Sequence, residues 1–121
     1  MRALPVVGLL GITIAIGLWM GLQYLRGQRN KVEIIGIHFL LGVGGLEVLL
    51  MIMVGPPDGD VVQDILAGQI AAGFIAAAMV IAIIAALGKR KSKGLTDITL
   101  AVHALLALLG FGLLLYWASG L

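Results

Sequence analysis

The sequence predicts an all-α membrane protein: a four-transmembrane-helix up-down bundle built from a duplicated helical hairpin, forming a single domain over residues 1–121. Three observations predict it. Hydrophobic residues make up 61% of the chain and charged residues only 12%, more apolar surface than one soluble core of this size can hide. Four segments reach the ~20 apolar residues that a helix needs to cross a ~30 Å hydrocarbon layer. The two halves also resemble each other at an offset of 65 positions.

The first helix is expected over 4–25. It reads as a retained span and not a signal peptide, because only Arg2 precedes it and no small-x-small cleavage site follows. The polar run from Arg26 to Lys31 breaks the pattern, and a second helix is expected over 32–54. Gly55-Pro56-Pro57-Asp58-Gly59-Asp60 ends it, since proline lacks the amide proton and clashes with the preceding turn. The third helix is expected over 61–87 and the fourth over 95–119, separated by a basic loop from Gly88 to Gly94. The repeat halves are then about 1–60 and 61–121.

Charge placement predicts orientation. The first loop carries Arg26, Arg29 and Lys31, and the third carries Lys89, Arg90, Lys91 and Lys93. The second has Asp58 and Asp60 and no basic residue. The positive-inside rule puts loops one and three in the cytoplasm of a multi-pass protein of the cell membrane, with both termini outside the cytoplasm. Tyr116 and Trp117 then fall where an outer aromatic belt lies. The net charge of +2 is a topology signal and not a nucleic-acid surface. The basic loops also suit anionic lipid. With no cysteine, disulfides, iron–sulfur clusters and thiol chemistry are excluded. Ser92 and Ser119 have no base beside them, and no phosphate-binding glycine loop is present.

Within the repeat, 36–42 (GIHFLLG) aligns with 101–107 (AVHALLA), Gly45 with Gly110 and Leu49 with Leu114. Gly8 aligns with Gly73, Gly17 with Ala82, Gly21 with Ala86 and Arg26 with Lys91. Leucine and glycine matches are cheap in this composition. The histidines are not: the chain has two, and His38 and His103 occupy equivalent places. Because equivalent helices run in one direction, the expected symmetry is a pseudo-twofold along the membrane normal.

An ionisable side chain inside a membrane is a functional candidate until explained. His38 lies about 10 Å along a helix from Lys31, and His103 lies at a similar depth. Two imidazoles at one depth suit one haem b held between them, with His38 and His103 as ligands of the haem iron. Gly42 and Gly45 share the helical face of His38, and Ala107 and Gly110 that of His103, so these small residues are expected to line the pocket. Arg26, Arg29, Lys31, Lys89, Arg90 and Lys91 are expected on the propionate side. The competing reading is that such small residues only let helices pack closely, and that each histidine only bonds a serine or a backbone carbonyl. A chlorophyll-type or other tetrapyrrole also accepts an axial histidine, whereas two imidazoles without carboxylate or thiolate do not complete a bare transition-metal site.

Four apolar spans with His38 and His103 in register resemble small transmembrane b-type cytochromes, similar in architecture to the cytochrome b561-like group. The resemblance covers all four spans and rests on those two histidines. It implies a membrane cytochrome for electron transfer, acting as a subunit of a redox complex or as a homo-oligomer, and not a stand-alone enzyme. Members of that group commonly hold two haems on four histidines, so two histidines imply one haem.

Glu47 is the only acid deep in a span and lies about half a turn round the helix from His38. Gln69 stands at comparable depth. A Glu47–Gln69 hydrogen bond is the bland expectation, and a proton or quinone site is the functional one. Thr13 is expected to bond back to its own helix. Two other function classes compete with the cytochrome: a cofactor-free structural or assembly subunit, and a small transporter or channel using Glu47 and the histidines.

Overall fold

A computed structural model describes residues 4–54, 65–87 and 93–119. They form four α-helices: α1 Leu4–Leu25, α2 Val32–Val54, α3 Ile65–Leu87 and α4 Lys93–Ala118. All four are long and apolar enough to cross a membrane, and no strand occurs among the described residues. The protein is therefore an all-α, multi-pass membrane protein. Helices suit this setting because every interior amide bonds within its own segment, leaving no polar backbone bare to lipid.

The first two helices have the expected bounds. The expected residues 61–64 of the third helix lie outside the described residues, as do Gly55 to Asp60 and Lys89, Arg90 and Lys91. The fourth helix corrects the sequence reading at both ends. Lys93 and Gly94 belong to α4 and not to the loop, while Ser119 has left the helix for a turn. The Ser119 amide still donates to the Leu115 carbonyl at 2.9 Å.

The chain divides into two compact units, Met1–Asp60 and Val61–Leu121. Each is a helical hairpin, α1 against α2 and α3 against α4. In the first, Gly27 closes α1 with a φ of 73°, a backbone conformation that only glycine adopts without strain. Its amide donates to the Tyr24 carbonyl at 3.0 Å and that of Gln28 to the Gln23 carbonyl at 2.9 Å. This pair of bonds is the Schellman motif, which satisfies carbonyls that the helix end would leave bare. The Asn30 side chain then donates to the Met20 carbonyl at 3.0 Å, tying the connection back to α1. Arg26, Arg29 and Lys31 stay exposed on it. The amides of Ile34 and Ile35 both donate to the Lys31 carbonyl, which starts α2.

Each hairpin has one seam, and the two seams match residue for residue. On α1 the seam runs Val6, Leu10, Thr13, Gly17; on α3 it runs Ala71, Ile75, Ala78, Ala82. Facing them are His38, Gly42, Gly45, Leu49 on α2 and His103, Ala107, Gly110, Leu114 on α4. All four sets have the i, i+4, i+7, i+11 spacing of a helix seam. Val6, Leu49, Ala71 and Leu114 are fully buried there. Most of the remaining apolar surface is open, as lipid-facing surface must be; Leu40, Met51 and Leu66 are over 60% exposed.

Trp117 departs from the expected aromatic belt. It follows the α4 seam three residues after Leu114 and is 9% exposed. Tyr116 beside it is exposed, as a belt residue would be.

Candidate functional site: a histidine in each seam

His38 and His103 are half-buried, and each reaches across its seam to the backbone of the neighbouring helix. His38 Nδ1 lies 3.0 Å from the Thr13 carbonyl oxygen. His103 Nδ1 lies 2.7 Å from the Ala78 carbonyl oxygen. Both bonds span 25 residues, and 13 and 78 differ by the repeat offset of 65. The duplicated histidines thus make duplicated bonds.

The chemistry of these bonds assigns the proton. A carbonyl oxygen only accepts, so Nδ1 donates in both rings. In the neutral imidazole the lone pair is then on Nε2. A carbonyl bond of this kind fixes tautomer and ring orientation, and it is the usual arrangement behind a metal-ligating histidine. The same carbonyls also lie where the helical i→i+4 pattern sends the amides of residues 17 and 82.

The glycines of the seam serve close helix contact. A Cβ on Gly45 would lie 2.5 Å from Leu10 Cδ2, and one on Gly110 would lie 2.8 Å from Ile75 Cγ1. Leu10 and Ile75 are themselves repeat equivalents, so one knob fills one notch in each hairpin. Gly42 faces the Thr13 methyl, 3.6 Å from where its Cβ would be, and Ala107 is half-buried. Thr13 Oγ1 donates to the Leu9 carbonyl at 2.7 Å, as the sequence predicts. Of the other small residues, Gly17 meets the His38 ring, while Gly21 has open space beside it.

Glu47 and Gln69 are both exposed on their own hairpins, and Glu47 lies off the α2 seam that holds His38. Among the described residues no group of three or more histidines, cysteines or carboxylates gathers as a conventional metal site. The competing sequence reading expected a backbone carbonyl as the partner, and each histidine has one; what it did not contain is which carbonyl. The signal for it was the repeat itself, which aligns Thr13 with Ala78 as it aligns His38 with His103.

The fold and site define a class: a polytopic helical membrane protein made of two repeated hairpins, in each of which a histidine on one helix is clasped to the backbone of the other. No protein-family model, curated protein or solved structure matches the chain.

Proposed function

We propose that the protein is a membrane b-type cytochrome in which His38 and His103 ligate haem iron through Nε2, serving electron transfer within a redox complex or homo-oligomer. The observation that carries this reading is the pair of equivalent Nδ1–H···O=C bonds. Each holds an imidazole in the tautomer whose Nε2 lone pair an iron would use. Haem needs no third protein ligand, so two separate imidazoles fit it chemically where they would not fit zinc. Bound haem would supply a one-electron couple. The chain's own part would be to hold the two imidazoles by their Nδ1 bonds and to offer cations to the propionates. Arg26, Arg29 and Lys31 are exposed at the end of the first hairpin and suit that second task. In this reading those basic residues face the cytoplasm and the termini lie on the other side.

The test is the reduced-minus-oxidised visible spectrum of the purified protein in mild detergent, for wild type, His38→Ala and His103→Ala. The expected result is sharp b-type bands in the wild type and loss of the six-coordinate spectrum in either variant. Unchanged bands in both variants would sink the assignment. A chlorophyll-like spectrum would keep the ligand roles and change the pigment.

A second reading is a cofactor-free structural subunit, favoured by the filling of Gly45 and Gly110 by Leu10 and Ile75. In that case the protein is colourless even when haem is supplied during expression, and a double histidine variant still assembles.

A further inference from the structure

The two histidine bonds are equivalent in register, but the surfaces under the rings are not. A Cβ on Gly17 would lie 2.8 Å from His38 Cε1, with Nδ1 and Nε2 each at 3.6 Å. Cβ atoms essentially never come that close to another carbon, so the His38 ring occupies space that a methyl group would need. The repeat equivalent of Gly17 is Ala82, which has that methyl. His103 nevertheless makes its bond to the Ala78 carbonyl, and at 2.7 Å against 3.0 Å for His38. The His103 ring therefore cannot lie on α3 as the His38 ring lies on α1.

We infer that residue 17 and its counterpart 82 are positioning residues that make the two imidazoles inequivalent: Gly17 seats the His38 ring against the α1 backbone, and the Ala82 methyl turns the His103 ring out of that seat while its Nδ1 stays on the Ala78 carbonyl. Cε1 is the far end of a side chain with two free torsions, so a methyl at 17 moves the ring before it moves a helix. The inference goes beyond the haem reading and does not depend on it. If haem is bound, it means that the chain offers the iron two unlike nitrogens.

The experiment uses the full chain, labelled with ¹⁵N in histidine and dissolved in detergent micelles. With two histidines in the chain, the imidazole nitrogens give two sets of resonances. Loss of one set in His38→Gln and of the other in His103→Gln assigns them. Both sets should report a proton on Nδ1, and they should differ in position. Gly17→Ala should move the His38 set towards that of His103 and leave the His103 set in place. Ala82→Gly should move the His103 set alone, in the opposite sense; it removes one methyl, so it remains readable if Gly17→Ala folds poorly. Superimposed wild-type sets, or variants that leave their own histidine unmoved, would overturn the inference. The visible spectrum is a separate readout, so failure of the haem reading and failure of this one are distinguishable.

Discussion

At the residue scale, the seam glycines differ in what a methyl group would strike. At Gly45 the obstacle is the end of the Leu10 side chain, which can turn aside. At Gly110 it is Ile75 Cγ1 at 2.8 Å, Phe74 Cβ at 3.1 Å and the Ala71 carbonyl oxygen at 3.2 Å, two of which are tied to the backbone. Overpacking typically costs about 1–3 kcal/mol. Gly110→Ala is therefore expected near the upper end and Gly45→Ala near the lower, read from unfolding titrations in mixed micelles. Equal losses would show that the second seam yields as easily as the first. The histidine bonds belong to the same scale. Interhelical hydrogen bonds in membranes contribute about 0.6 kcal/mol on average, up to about 2. His38→Ala or His103→Ala in the haem-free protein should thus cost about 1 kcal/mol, measured in the same way. The sequence made both histidines visible, because two in 121 residues fall in register. It hid their partners, because a backbone carbonyl has no letter of its own.

At the element scale, the end of α1 depends on one residue. Gly27 takes a positive φ and closes the Schellman pair of bonds. An L side chain in that conformation costs roughly 1–2 kcal/mol. Gly27→Ala should lower the stability of the first hairpin by about that much, with faster amide exchange at Gln28 as a local readout. Unchanged exchange there would count against the motif. Here the signal was present, a glycine two residues after the apolar run, but the polar residues around it were sufficient to explain the break. The helix bounds themselves were legible wherever hydropathy changes abruptly, as at Leu25 and Val54. They were less legible at Lys93, because a lysine reads as loop while its backbone joins a helix without difficulty. Trp117 misled for a related reason. Its place near a helix end suggests an interface anchor, but its phase, three residues after Leu114, sets it in the seam.

For the whole molecule, the composition and the repeat carried nearly all of the architecture. Four spans follow from hydropathy, and two hairpins follow from the offset of 65, since the seam residues of one half name those of the other. The function is less legible, because a buried histidine bonded to a carbonyl is common to a ligand site and to a plain helix clasp. A prediction at this scale separates the two. Exposing the purified chain to haem should titrate to one haem per chain in the wild type, and to none in the double histidine variant. A wild type that takes up no haem would leave the clasp as the histidines' whole role.

The tying of each seam over short stretches of chain has a consequence for how the protein is made. The histidine bonds join residues 25 apart, and a short described connection separates α1 from α2. Because each seam lies within one half of the chain, its closure needs no residue from the other half. Synthesis proceeds at about 5–20 residues per second. The first seam can therefore close while the chain is still emerging, before α4 has left the ribosome. A chain stalled once Leu49 has cleared the ribosomal exit tunnel should already hold Val6 against Leu49, which a cysteine cross-link between those positions would capture.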